Sequence, residues 1–211
     1  MFYVINHTDK PILSHKDYKE IKVGSFFKGG LDNINHLNPY INEATGLYEI
    51  WKHTHEEIVG LAHYRRYFEL NGEILSLEKA KEILKDYDII LVEHLTIPGR
   101  TIAENNDILG YRVGKYMELI SQRVPHYKEY MNTNEFNQRN MFVCKRTLLN
   151  EYCKWLFDFI VPLAEQFERE DNTTGQKQRT LGYLVEELLT FWCKEHNLKI
   201  YECKIREIDN I

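Results

Sequence analysis

Apolar residues fall along this chain in two patterns, short unbroken runs and longer stretches spaced at three and four. Phe2-Tyr3-Val4-Ile5 is unbroken and stops at His7-Thr8-Asp9. The runs 58–62 (IVGLA), 89–92 (IILV) and 141–144 (MFVC) behave alike, and 21–23 and 199–203 read as two further short strands. Unbroken runs of this length predict strands buried on both faces. Ala44, Leu47, Tyr48 and Trp51 predict a helix over 42–53 with Asn42 as its N-cap. Ser76 is placed to cap a helix carrying Leu77, Ala80, Ile83 and Leu84 on one face. Further helices are predicted over 107–122, over 125–131, from a Thr147 cap to about Phe167, and over 181–196. The stretches 24–40, 93–105, 132–139 and 168–178 are polar or rich in Gly, Asn or Pro and predict loops.

Buried strands alternating with helices predict an α/β fold, with a central, mostly parallel sheet flanked by helices. No repeat and no linker divides the chain, so residues 1–211 are expected to form one domain. Ligands of such sheets bind at the carboxyl ends of strands. That rule singles out His7 to Asp9, His63 to Arg66, and Glu93-His94.

Composition narrows the chemistry. The 211 residues carry a net charge of −5, which argues against a nucleic-acid partner. Basic clusters inside an acidic chain suit a small anionic ligand. The 14 Tyr, 10 Phe and 3 Trp include many core residues, yet Tyr also suits sugars and bases. Four cysteines without a C-x-x-C pair read as reduced thiols of a cytoplasmic protein. No apolar run approaches a membrane span, and the first residues lack the features of a signal peptide.

The stretch GLAHYRRYF, 60–68, sets two arginines, a histidine and three aromatics against a buried strand. Guanidinium forks at a strand end can hold phosphate oxygens bidentately and stabilise charge on a leaving diphosphate. Arg-Arg pairs are also common as solvated partners of nearby acids, and the two readings weigh about equally here. The Asp86-Tyr87-Asp88 triplet has the form of a divalent-metal pair, but it precedes its strand and reads as a helix-end turn. His53-Thr54-His55 has the wrong spacing for two ligands on one helix face. No P-loop, dinucleotide-binding glycine motif or nucleophile elbow occurs. Asp32 and Asn33 read as turn chemistry, Glu43 and Thr45 as helix-start support, and Glu186-Glu187 as either a solvated face or a cleft carboxylate able to act as general base.

Several motifs together resemble a bacterial family that accompanies capsular and exopolysaccharide synthesis genes, is carried as a domain of unknown function, and is grouped with GT-A glycosyltransferases. They are DNI at 32–34, NE-A-T at 42–45 with Tyr48 and Trp51-Lys52, GLAHYRRYF, YDIIL at 87–91, NMFVCK at 140–145, EYCKWLF at 151–157, LGYLVEELL with Trp192, and NLKIYE at 197–202. The weakest match is 93–114, where Ala103, Asn105 and Asn106 replace aromatics and histidines, and Glu187 stands where the family pattern has Arg.

The resemblance implies a single GT-A-like, Rossmann-like domain. Its implied activity is a hexosyltransferase that moves a sugar from a nucleoside diphosphate, a UDP-hexose, to a hydroxyl of a growing surface polysaccharide. His7, Thr8, Asp9, Asp32, Asn33, Thr45, His63, Tyr64, Arg65 and Arg66 would bind the donor. Arg65 would also act at the leaving diphosphate, with Glu186 as base or acceptor-orienting group, and Asn140 and Met141 would border the acceptor. The arginines would stand in for metal, so no cofactor is required, although Mn²⁺ or Mg²⁺ is compatible. The acceptor would be an oligosaccharide or lipid-linked glycan, reached from the cytoplasm, with peripheral membrane association compatible. A sugar-phosphate transferase and a non-catalytic nucleotide-sugar binding protein are the rival readings.

Overall fold

A computed structural model of the chain describes residues 1–108, 113–170 and 174–208. The first strand, β1 (Phe2–Asn6), is followed by β2 (Tyr18–Lys22), two 3-10 turns, and a short helix α1 (Asn38–Ile41) that leads into α2 (Ala44–His53). Then come β3 (Ile58–His63), β4 (Arg66–Leu70), β5 (Glu73–Ile74), α3 (Leu77–Ile83), β6 (Ile89–Val92) and β7 (His94–Thr96). Next are α4 (Ile102–Ile108), α5 (Val113–Ser121), α6 (Tyr127–Met131), β8 (Glu135–Asn137) and β9 (Phe142–Lys145). The chain continues through α7 (Arg146–Glu170), α8 (Thr180–Glu195) and β10 (Ile200–Glu207).

Eight strands form one sheet in the order β2-β1-β3-β9-β6-β10-β4-β5. An extra pairing of His63 with Arg66 joins β3 to β4 and gives the sheet a partly closed, barrel-like outline. The expectation of a mostly parallel sheet is corrected: the pairings are mixed. β1 pairs in parallel with β2 and β3, and β6 with β10, whereas β9 runs against both β3 and β6 and β4 runs against β10. The reason is connectivity. β7, α4 to α6 and β8 leave and return at the edge where β6 ends, so β9 enters from that edge without a crossover and must descend. Likewise, the two residues between β3 and β4 make a tight hairpin, so the His-Tyr-Arg-Arg stretch is a turn between paired strands.

Alternation of side chains divides the apolar residues between two cores. Tyr3, Ile5, Val59, Leu61, Leu91 and Phe142 face the layer of α1, α2, α7 and α8. Phe2, Val4, Ile58, Ala62, Ile90 and Val143 face Tyr67, Phe68, Leu75 and α3. Gly60 is needed because a Cβ there would lie 2.5 Å from the Phe2 ring. Ser76 caps α3 as its sequence predicts, accepting the Lys79 N–H.

Other boundaries shift. The strand expected over 21–23 spans 18–22, and the closing strand expected to end at residue 203 extends to Glu207 because it pairs with β4. Asn42 does not cap α2. It ends α1 in a left-handed conformation (φ 49°), and α2 starts after Glu43, whose side chain makes no capping bond. The helix expected over 107–122 corresponds to α4 and α5, and residues 109–112 lie outside the described residues. The loops expected over 93–105 and 132–139 contain β7 and β8, which pair with each other as a separate two-stranded sheet; their polar sequences hide them from a hydrophobic pattern. Arg146, not Thr147, begins α7.

Candidate functional site

The parallel pairing of Ile5 with His63 brings the ends of β1 and β3 side by side. Antiparallel pairing of Leu61 with Phe142 places the residues just before β9 at the same edge. Three loops therefore meet there by sheet register alone: 7–10, 64–65 and 138–141.

In the first, Asn6 is fully buried and organises the turn. Its Oδ1 accepts the Thr8 N–H (2.9 Å) and the Thr8 hydroxyl (2.8 Å), and its Nδ2 donates to the Lys10 carbonyl (2.8 Å) and Glu20 Oε1 (2.7 Å). This leaves His7 free to meet Tyr64 ring-on-edge at 5.1 Å, while the Arg65 guanidinium lies over the other side of the hairpin turn, 5.0 Å from the Tyr64 ring centre. Burial and the charges of Arg179 and Arg65 lower the His7 pKa. Arg66 points along the edge and pairs with Glu207 (Nε to Oε1, 2.9 Å).

The loop before β9 carries two consecutive non-glycine residues in the left-handed region, Arg139 (φ 75°) and Asn140 (φ 48°). Tandem residues there store strain, which is characteristic of functional sites. Their placement presents the Arg139 N–H to Glu186 of α8, whose Oε2 accepts it at 2.7 Å. Asn140 is fully buried, and neither atom of its amide has a hydrogen-bond partner among the described residues. The same holds for His63 Nε2, Arg139 Nε and Glu43 Oε1. Burial, then the charges of Arg66 and Arg139, push the His63 pKa down to about 3, so its ring is neutral. Burial raises the Glu186 pKa, opposed by the Arg139 N–H and by the charges of Arg139, Arg66 and Arg179. Burial, then the charge of Glu186, raises that of Glu43, whose carboxyl lies against the Asn140 amide.

Of the residues singled out by sequence, this edge gathers His7, Thr8, His63, Tyr64, Arg65, Arg66, Asn140 and Glu186. Asp9 is exposed at the rim. Asp32 is tied instead to the far end of α2, where its Oδ1 accepts from the Tyr48 hydroxyl (3.2 Å) and its carbonyl meets His53 Nε2 (2.7 Å). Asn33 closes a local turn, with Oδ1 accepting the Asn35 N–H. Thr45 is buried and bonds Asn38 and the Asn42 carbonyl, as helix-start support. Met141 turns its side chain into the second core, beneath the site. Glu187 faces the helical interior, 2% exposed, and accepts from Asn106 of α4 (2.5 Å). Burial pushes its pKa up to about 8, with Glu186 adding to the shift.

Three residues join the site whose part in it the sequence did not show. Arg139 lies in a polar loop and Arg179 just before α8, and Glu43, inside the NE-A-T stretch, reads there as helix-start support. An Asn-Glu pair ahead of an apolar helix stripe, with no capping role for either side chain, is the one signal they left.

The donor set does not fit a divalent ion: it mixes two enclosed carboxyls with three arginines and a neutral imidazole. Asp88 of the acidic triplet bonds the Lys199 backbone (2.8 Å), and β6 starts one residue after it, at the end of the sheet away from the site. Among the described residues no three His, Cys, Asp or Glu side chains converge to hold a metal.

Fold and site together define a mixed α/β domain with an enclosed acid and arginine centre at the carboxyl edge of its sheet. The chain belongs to the DUF4422 family, a domain of unknown function, whose model matches residues 1–197. Its fold is also that of part of WbbM, described as a bifunctional glycosyltransferase in the apo state. The TM-score is 0.79 at 20% identity over 99% of this chain. The match covers 45% of WbbM, so the chain spans less than half of that protein's length. No curated protein matches the chain. No helix among the described residues is long and apolar enough to cross a membrane.

Proposed function

We propose that residues 1–211 act as one GT-A-like glycosyltransferase domain that moves a hexose from a UDP donor to a hydroxyl of a growing surface glycan. The observation that carries this reading is the Glu186 carboxylate, enclosed at the β1 and β3 ends, fixed by the Arg139 N–H and ringed by Arg66, Arg139 and Arg179. The shared fold with a glycosyltransferase supports it.

In this reading the His7 and Tyr64 rings flank the base, and the diphosphate lies along Arg65 with Arg179 near. As the bond from the anomeric carbon to the diphosphate oxygen breaks, its electron pair stays on UDP, where the guanidinium fork of Arg65 meets the growing charge. The acceptor oxygen bonds the anomeric carbon, and its proton passes to Glu186. Asn140, buried between Glu186 and β9, borders the acceptor side. The neutral His63 adds polarity without competing for the anion. A lipid-linked acceptor would bring this edge to the cytoplasmic membrane surface.

The test is release of nucleotide from sugar donors, followed with and without chelator. UDP release by the wild type, reduced on the order of 10²–10⁴-fold in Glu186→Gln, is expected for a positioned general base. Release of UMP would assign a sugar-phosphate transferase, and nucleotide binding without any release would assign a binding protein.

A further inference from the structure

Glu43 owes its position to two tight features. Asn42, just before it, is held left-handed with its Oδ1 accepting from Arg179 Nε (2.9 Å). Across from it stands Gly182 of α8, where a Cβ would lie 1.9 Å from Asn42 Nδ2. The α1–α2 corner therefore touches α8 because residue 182 has no side chain. Glu43 follows Asn42, and Glu186 lies one helical turn beyond Gly182 on the same face. The two acids consequently face each other across this contact. Glu43 Oε1 is enclosed without a partner among the described residues, and the carboxyl lies against the buried Asn140 amide.

We propose that Glu43 and Glu186 form a carboxyl pair holding a single proton, with Glu43 the positioning residue that keeps Glu186 ready as base. Two facing carboxylates cannot both ionise cheaply. The surrounding charges decide where the proton sits. Arg139, Arg66 and Arg179 act on Glu186, which also accepts the Arg139 N–H, and Glu187 turns away from the pair into the helical interior. Glu43 has Arg179 and the Asn140 amide beside it, which offset its burial only in part. Glu186 therefore carries the charge and Glu43 the proton. On the glycosyl-transfer reading, the acceptor proton goes to Glu186, leaving both carboxyls neutral until one proton returns to solvent.

The pair is tested on the whole chain without donor, by NMR titration of glutamate side-chain 13C carboxyls in wild type, Glu43→Gln and Glu186→Gln, each in a Glu187→Gln background. A shared proton makes the two titrations unequal in their response. Removing Glu186 lowers the Glu43 titration by at least about one pH unit, a tenfold change in its dissociation constant, whereas Glu43→Gln, which mimics the protonated acid, leaves the Glu186 titration close to its wild-type position. A Glu43 titration unmoved by loss of Glu186 overturns the pair. Kinetics then read its role. If the wild type releases UDP, loss of the shared proton gives its pH profile a basic limb, and Glu43→Gln removes that limb; an unchanged limb overturns the positioning role. If no donor is turned over, the transfer reading fails while the titrations still decide the pair.

Discussion

Two regions at one edge of the sheet handle charge in opposite ways. Along the antiparallel pair of β4 and β10, charges are matched: Arg66 with Glu207 at 2.9 Å and Arg206 with Glu69 at 2.7 Å, with Arg206 also donating to the Gly72 carbonyl. Around Glu186, polar atoms of Glu43, His63, Arg139 and Asn140 are buried without partners among the described residues. Matched, partly solvated pairs hold strand register at little energetic consequence. A buried polar atom without a partner costs about 1–3 kcal/mol, so four such residues around one carboxylate mark a place where stability has been given up for a purpose. The contrast also splits the adjacent arginines of the hairpin: Arg66 belongs in part to the matched ladder, whereas Arg65 is exposed and its guanidinium lies over the Tyr64 ring.

The largest expected effect separates these two arginines. Arg65→Ala should reduce kcat/KM for donor turnover by roughly 2–4 kcal/mol of transition-state stabilisation, by analogy with loss of one charge-directed donor. Arg65→Lys keeps the charge, loses the fork, and should fall between wild type and alanine. Equal turnover in wild type and Arg65→Ala, with the fold intact by circular dichroism, would remove Arg65 from the mechanism and leave Arg179 and Arg66 to meet the diphosphate.

Sequence patterns show part of this contrast. The strands that end at the site, 2–6 and 58–63, are legible because unbroken apolar runs need burial on both faces. The direction of β9 is not legible, because an apolar run carries no polarity, and the excursion that reverses it is built from short polar strands. The hairpin is missed for a related reason: Tyr64-Arg65 lacks the Asn-Gly or Gly-rich chemistry by which two-residue turns are recognised. Glu186 is legible as a carboxylate on an apolar helix. Glu43 is not, since its approach to Glu186 depends on Gly182 meeting Asn42, residues 140 positions apart in the chain. Asp32 shows the converse, a polar loop residue that looks like a ligand and serves to hold its loop to Tyr48.

A second way to sharpen the comparison uses the neighbouring acids of α8. Glu187 is buried against Asn106, with a folded pKa pushed up from 4.5 to about 8. A raised carboxyl pKa means the folded state binds the proton more tightly than the unfolded chain. Its contribution is complete below about pH 4.5 and is lost as pH rises toward 8. Glu187→Gln keeps the shape and the acceptor for Asn106 but cannot ionise. It should leave stability at pH 5 nearly unchanged and raise it at pH 8.5 by roughly 1–3 kcal/mol, read from denaturant midpoints at both pH values. An equal shift at both pH values would show that Glu187 is not held neutral in the folded protein.

The smallest effect is expected in the matched ladder. Arg206 is about one-third exposed and Glu69 about one-fifth, so water screens much of their attraction. Arg206→Gln removes the ion pair and the contact with the Gly72 carbonyl, while the backbone pairing of β10 with β4 stays. The expected loss of stability is at most about 1 kcal/mol, smaller still in high salt, with donor turnover unchanged. The ladder would then be a register device that ends where the site begins. A loss well beyond that range, or a fall in turnover by a folded Arg206→Gln protein, would mean that the β10 edge positions Arg66 for chemistry, and the boundary between matched and unmatched charge would have to move outward to include Glu207.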